Sequence, residues 1–340
     1  MIRACVILAI ILAGCSNNSP IQLKDEPFDV RVPVGFPPVE FPADNEPTKL
    51  RVEMGRRLFY DNRLSSDETM NCGSCHVLSA AFTDGRTTSE GLHGISGKRN
   101  APTLVNLAWM KRFMMEGGVP TLETQALAPL HDSAEMGSNM MRAVEKLNRD
   151  PYMIALGRAA YGRDSIDPFI ITRALACFQR TLMSGDSRYD RYVRLDKKDQ
   201  MNASEIRGMD LFFSARTQCS SCHSGVFFTD MDYHNIALQE EYLDEGKARA
   251  THLDKDVGRF KTPTLRNIQL TAPYMHDGSM RSLEEVISFY NKGGNAHRNK
   301  DRRINTLELT VEEQNDLIAF LTTLTDWNFV QNTDFLPLMQ

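Results

Sequence analysis

Cys72-Gly73-Ser74-Cys75-His76 decides how the chain is read. Two cysteines separated by two residues, with histidine directly after the second, have the spacing of a c-type haem attachment site. The two thiols add to the two vinyl groups of one porphyrin, and the histidine falls beneath the iron as its proximal ligand. The pattern returns at Cys219-Ser220-Ser221-Cys222-His223. A single occurrence could equally be a redox dithiol or half of a zinc site. Two, each with its histidine in the same place, point to two covalent haem c groups.

A chain of 340 residues is long enough for two haem-sized domains. Hydrophobic residues at 41% and charged residues at 24% are ordinary for a soluble globular protein. The net charge of −5 gives no sign of nucleic-acid binding. A mildly acidic surface would suit a basic electron donor. Of seven cysteines, four belong to the motifs, and Cys5 and Cys15 lie near the N-terminus. Cys177 is left alone, so no disulfide is expected.

Residues 1–14 read as a leader, with Arg3 followed by the apolar run Ala4 to Ala13. The run is too short to span a membrane and suits a signal peptide. Leu12-Ala13-Gly14-Cys15 resembles a bacterial lipoprotein box, with cleavage before Cys15 and lipidation of its thiol. The other reading is a plain secretory signal. Either takes the mature chain out of the cytoplasm, as haem c assembly requires, and the first makes it a periplasmic, membrane-anchored lipoprotein.

Residues 15–47, punctuated by seven prolines from Pro20 to Pro47, are expected as an extended tether partly draped on the body. A helix is predicted over Thr48–Asn62, where Leu50, Met54 and Leu58 share one face. Further helices are expected at Ala134–Leu147, Tyr152–Tyr161, Pro168–Ser184 and Ser282–Lys292. Thr310-Val311-Glu312-Glu313 resembles a capping box that opens another, with Ile318, Leu321 and Leu324 inward. The loops Thr83–Thr103 and Phe227–Thr262 carry chemistry.

The chain also repeats itself. Gly55-Arg56-Arg57-Leu58-Phe59 precedes the first motif as Gly208-Met209-Asp210-Leu211-Phe212 precedes the second. Ala101-Pro102-Thr103-Leu104-Val105-Asn106 follows the first as Thr262-Pro263-Thr264-Leu265-Arg266-Asn267 follows the second. The register then holds without gaps: Glu116-Gly117 matches Asp277-Gly278, and Leu122-Glu123 matches Leu283-Glu284. The fold class is therefore mostly α, with two related c-type cytochrome domains at 48–186 and 187–330 and a tail at 331–340. The boundary falls near 185–203, where Ser187 to Gln200 is strongly charged.

These pieces resemble the bacterial dihaem cytochrome c peroxidases and the related dihaem enzyme that matures methylamine dehydrogenase. The resemblance covers roughly residues 50–327. It rests on Leu58-Phe59 with Arg63-Leu64-Ser65, on Asn100-Ala101-Pro102-Thr103, on Thr271-Ala272-Pro273-Tyr274-Met275-His276-Asp277-Gly278, and on Leu283-Glu284-Glu285 leading to Phe289-Tyr290. It implies that the N-terminal haem meets peroxide and the C-terminal haem receives electrons. It implies a peroxidatic pocket with Gln125 and, ten residues on, Glu135 before Met136. Heterolysis of peroxide needs a group that takes the proton from one oxygen and returns it to the other, and a carboxylate can do so. Without the resemblance, Glu135 would read as a solvated helix-start glutamate and Gln125 as a surface glutamine. It implies a calcium ion between the domains, bound by the Asn100 side chain and the carbonyls of Thr271 and Pro273; oxygen ligands suit that ion.

One departure stands out. The tryptophan usually found between the haems is replaced here by Met115, and Trp109 and Trp327 lie elsewhere. Methionine packs well but cannot serve as an indole hopping site. His93 lies close to the register of a family histidine that caps the resting peroxidatic iron; the alternative is a mobile loop histidine. His131, His234, His252 and His297 carry no motif and read as surface or loop residues. His297 is a reserve ligand for the second iron. His276 matches a family histidine near the second haem that is not its axial ligand.

The repeat gives one more candidate. Pro129 and Tyr290 lie equally far from Pro102 and Pro263, so one slot holds proline in the first half and tyrosine in the second. Proline offers iron no ligand, whereas tyrosine offers a phenolate. In the family, the electron-transfer haem takes methionine or tyrosine from this position. The alternative is that Tyr290 is a core aromatic of its helix.

The expected function is an extracytoplasmic dihaem peroxidase that reduces hydrogen peroxide with electrons from a small cytochrome c or cupredoxin. A second reading is a peroxide-dependent oxidase that modifies an aromatic residue of a partner protein. A third is a non-enzymatic dihaem electron carrier, against which Gln125 and Glu135 weigh. Assembly as a homodimer is left open.

Overall fold

A computed structural model describes residues 21–197 and 200–338. The leader and Cys15, on which the signal-peptide and lipidation expectations rest, lie outside the described residues. The chain is mostly helical. Its first half contains α1 (Lys49–Phe59), α2 (Cys72–Cys75), α3 (Leu122–Gln125), α4 (Leu127–His131), α5 (Met140–Leu147), α6 (Pro151–Tyr161) and α7 (Pro168–Arg180). Its second half contains α8 (Arg188–Arg194), α9 (Ala203–Phe212), α10 (Ala248–Thr251), α11 (Leu283–Asn291), α12 (Val311–Thr322) and α13 (Trp327–Val330). Strands among the described residues are confined to the antiparallel pair β1 (Tyr233–His234) and β2 (Phe260–Lys261), with Tyr233 opposite Lys261.

Helix α1 starts where Thr48 Oγ1 accepts from the Arg51 N–H at 3.3 Å, and it buries Leu50, Met54 and Leu58 on one face. It stops at Phe59 rather than Asn62, because Asp61 caps a separate short turn at Asn62–Leu64. Helix α7 opens with Asp167 capping the Ile170 N–H at 2.9 Å and with Pro168 at its first position, where a missing N–H costs nothing. The two helices cross at Gly55, where a Cβ would lie 1.9 Å from the Ala174 carbonyl oxygen. Helices α9 and α12 cross in the same way at Gly208, where a Cβ would lie 1.8 Å from the Asp316 carbonyl oxygen. Capping boxes start both helices of that second pair, Asn202 with Glu205 and Thr310 with Glu313.

One hydrophobic core gathers Met54, Leu58, Phe59, Phe82, Leu156 and Phe178. A second gathers Phe212, Phe228, Leu283, Leu317 and Phe320, and a small third one Phe113, Leu122 and Ala176. The repeat is visible in the backbone. Asn106 and Asn267 both have φ of +61°, and their side chains accept from the N–H groups of Ser184 and Asp326 at 2.9 and 2.8 Å. Phe113 bridges Val119 as Tyr274 bridges Met280. The halves meet reciprocally: the Asn100 N–H donates to the His276 carbonyl at 2.9 Å, and the Lys261 N–H donates to the Met115 carbonyl at 2.9 Å. Asn100 and Lys261 share one repeat slot, and Met115 and His276 share another. The contact therefore has the form of a pseudo-twofold interface.

Helix α5 begins at Met140, not at Ala134. Asp132 Oδ1 accepts from the Ala134 N–H at 2.8 Å, Gly137 has φ of +51°, and Asn139 caps the Met141 N–H at 2.8 Å. Residues 132–139 thus form a turn that carries Glu135. Residues 21–47 pack along the body. Phe36 sits edge-on to Trp109 and Phe227, with centroids 5.4 and 5.2 Å away. Asn45 is fully buried and donates to Glu123 and to the Arg173 carbonyl, both at 3.0 Å. The charged run from Ser187 is anchored in the body: Asp190, near the start of α8, accepts from the fully buried Arg266 guanidinium at 2.8 and 3.0 Å.

Candidate active site

Each Cys-x-x-Cys-His motif sits at a chain reversal held by its own histidine. His76 Nδ1 pairs with the Phe82 carbonyl at 2.8 Å. His223 Nδ1 pairs with the Phe228 and Pro263 carbonyls at 3.2 and 3.1 Å. Each ring is thereby fixed with Nε2 as the nitrogen left for a ligand. Burial lowers the pKa of both imidazoles, which keeps them neutral as metal binding requires. Burial raises the motif thiols, Cys72 to about 12 and Cys222 to about 11. Neither the four motif cysteines nor the buried Cys177 form a disulfide among the described residues.

A cavity of about 330 Å³ opens at the second motif and reaches the first half. Cys219, Cys222 and His223 line it, with walls of Leu265, Ile268, Ile287, Leu317 and Leu321. Tyr290 faces the same space, and its hydroxyl makes no hydrogen bond among the described residues. Burial, reinforced by the neighbouring Cys219 and Cys222, pushes that phenol well above its usual range. Two thiols, a neutral imidazole and apolar walls fit a flat apolar macrocycle with a metal at its centre. His297 is not in this lining; its Nδ1 already accepts from Asn235 at 3.1 Å and from the Asn299 N–H at 3.0 Å.

At the first motif, Glu135 is partly buried. Its carbonyl accepts from the Leu92 N–H at 3.1 Å, and Gly91 presses so closely that a Cβ would lie 1.8 Å from the Ala134 carbonyl oxygen. Burial, with Asp132 adding to it, raises the Glu135 carboxyl above its ordinary value, and its charge reaches the Cys75 thiol. Gln125 ends α3 and points Nε2 at Met114 Sδ, 3.8 Å away. Beside Cys75 a polar pocket of about 270 Å³ is lined by Thr69, Asp84, Arg86 and Glu90. His93 stands exposed on the same loop with φ of +57°, close enough to influence Asp67.

Asn100, Thr271 and Pro273 all line the same cavity as the second motif. Asn100 Nδ2 donates to the Arg86 carbonyl at 2.8 Å, which turns the amide so that Oδ1 is the atom left for a cation. Met115 and His276 line it too, and the His276 ring stacks on Phe260 at 3.8 Å.

Sequence reading missed the polar network beside the second motif. His234, expected as a surface or loop residue, lies between Asp230 at 2.8 Å and Asp301 at 2.9 Å, with its side chain only 14% exposed. Arg303 ties Asp301 to the Ser221 carbonyl at 2.7 and 3.0 Å. Cys222, Asp230 and His234 come within 4.8 Å of one another, but the last two already bond each other and the first belongs to the haem motif. The knot of Arg99 with Glu116 and Asp244, which joins the two halves of the chain, was missed as well.

The profile of the di-haem cytochrome c peroxidase family matches residues 49–198. Methylamine utilization protein MauG of Methylophilus methylotrophus is 36% identical over 83% of this chain and 84% of its own length. Cytochrome-c peroxidase IdrP1 of Denitromonas iodatirespirans is 32% identical over 93% of this chain and 92% of its own. Among solved structures, a MauG-like protein associated with microbial copper homeostasis superposes with a TM-score of 0.86 at 36% identity, covering 91% of this chain and 98% of that one. The chain belongs to the dihaem cytochrome c peroxidase family, which includes the MauG proteins.

Proposed function

We propose that this chain is an exported dihaem c-type peroxidase. Cys72, Cys75 and His76 would hold one haem, and Cys219, Cys222 and His223 would hold the other. When bound, the haems supply the iron that takes up peroxide and the electrons that reduce it. The observation that carries this reading is the partly buried Glu135 beside the first motif, its carboxyl raised by burial. Glu135 takes the proton from one peroxide oxygen and returns it to the other, which leaves as water. Two electrons and two protons complete the reduction to two waters, the electrons coming from a small cytochrome c or copper protein. Gln125 holds the peroxide or the water. Asn100, Thr271 and Pro273 bind calcium between the halves, and Cys15 carries a lipid anchor in the periplasm.

A second reading, in which peroxide drives oxidation of an aromatic residue on a partner protein, draws on Tyr290. Its hydroxyl shares the cavity with His223 and has no hydrogen-bond partner among the described residues. A phenolate ligand favours oxidised iron. The test is peroxide turnover with a reduced small cytochrome, set beside peroxide treatment of candidate partner proteins followed by mass spectrometry. Rapid cytochrome oxidation supports the peroxidase. Covalent change in a partner with slow cytochrome oxidation replaces it with the second reading.

A further inference from the structure

Lys261 ends β2 and lines the cavity that the second motif opens into. Its Nζ donates to the Arg112 carbonyl at 3.1 Å, which leaves two of its three N–H donors unused among the described residues. Glu116, the carboxylate that acts on it, is taken by Arg99, and Arg99 is anchored in turn on Asp244 at 2.6 and 2.9 Å. The other strong cation in the lining, Arg303, is committed to Asp301, His234 and the Ser221 carbonyl. Lys261 is therefore the cavity cation with donors to spare.

A haem brings two carboxylates with it. Setting a carboxylate at the rim of an apolar cavity is costly unless a charge or donor meets it. An ammonium on a flexible stem is suited to that task. The repeat sharpens the point, because the equivalent slot in the first half holds Asn100, a neutral amide. At this slot the positive charge is present in the second half only.

We propose that the Lys261 ammonium binds a propionate of the haem attached at Cys219 and Cys222. The assignment rests on the dihaem reading. A fixed positive charge near the iron opposes the extra charge of the ferric state and so favours reduction. Removing it shifts the midpoint potential of the second haem to more negative values and leaves the first haem unchanged.

The experiment compares wild type, Lys261→Gln and Lys261→Arg in the full haem-loaded chain. Mass spectrometry first counts haems; fewer than two in wild type would end the dihaem reading and not this assignment alone. Spectroelectrochemical titration then follows each haem, with resonance Raman of the propionate bending modes beside it. The expected result is a negative shift and an altered propionate band for the second haem in Lys261→Gln, with Lys261→Arg close to wild type. An unmoved second-haem potential overturns the assignment, and so does an equal shift in both haems or a Lys261→Arg protein that behaves as Lys261→Gln does. If Lys261→Gln fails to load its second haem, a fully loaded Lys261→Arg at wild-type potential supports the charge, and loss of loading in both variants overturns it.

Discussion

The two halves of the molecule share a frame and differ where they face the chemistry. Gly55 and Gly208 let equivalent helix pairs cross, and Asn106 and Asn267 make equivalent left-handed corners. The slots that differ are of another kind. Val105 is an apolar core residue, while its counterpart Arg266 is a buried cation paired with Asp190. Helix α11 runs unbroken through Tyr290, while the equivalent stretch is divided into α3 and α4 around Ala126 and carries Pro129, which has no N–H to give. Glu135 has its setting only in the first half. The difference teaches that a scaffold repeated for packing can still carry two unlike reaction environments.

The largest expected effect tests the Asp190–Arg266 ion pair, which has no equivalent at Val105 in the first half. Asp190→Asn leaves Arg266 uncompensated and should destabilise the protein by about 3–5 kcal/mol in denaturant unfolding. Hydrogen exchange should rise in α9 and α12 before α1 and α7; a uniform rise would mean that the halves do not differ in this respect. The pH dependence has a definite sign. Burial pushes the Asp190 carboxyl up, but Arg266 and Arg194 hold it below the usual carboxylate range. A depressed native pKa gives stability that is complete above the unfolded value of about 4 and is lost as pH falls through the native one.

Next in size is Glu135→Gln, which should keep both haems and lose peroxide turnover by about a hundredfold or more. Near-normal steady-state turnover would move the acid–base role to another residue. Then come Gly55→Ala and Gly208→Ala, each expected to cost about 1–3 kcal/mol through overpacking against a carbonyl. Similar losses in thermal unfolding would support the shared frame, and a neutral result at either glycine would break it. The smallest effect on stability, and the most specific in spectroscopy, is expected for Tyr290→Phe. Electron paramagnetic resonance of the ferric protein should show a changed signal for the second haem only. An unchanged signal would remove Tyr290 from the iron and leave the halves alike in lacking a ligand from this slot.

Much of the frame was legible because it is local. The haem motifs, the α1 stripe of Leu50, Met54 and Leu58, and the capping box at Thr310 each lie within a dozen or so residues. The gapless register of the repeat carried further, to the matched corners at Asn106 and Asn267. What escaped notice depends on contacts distant in sequence. No local pattern marks Asp190 as the partner of Arg266, and His234 looked like a loop residue because Asp301 lies far along the chain. The start of α5 was misplaced because Asp132 and Gly137 stabilise a turn where the composition still favours helix.

The reciprocal bonds of Asn100 to His276 and Lys261 to Met115 carry a last consequence. Two identical subunits meeting this way would be bound to equality: any substitution on one side of the axis would appear on the other. Joined in one polypeptide, the sides are released from that constraint. Position 100 can turn to an amide and position 261 to an amine, and each can be changed by mutation while its counterpart stays as it is. The covalent link is what makes a division of labour between the two sides available to a shape that is otherwise close to symmetric.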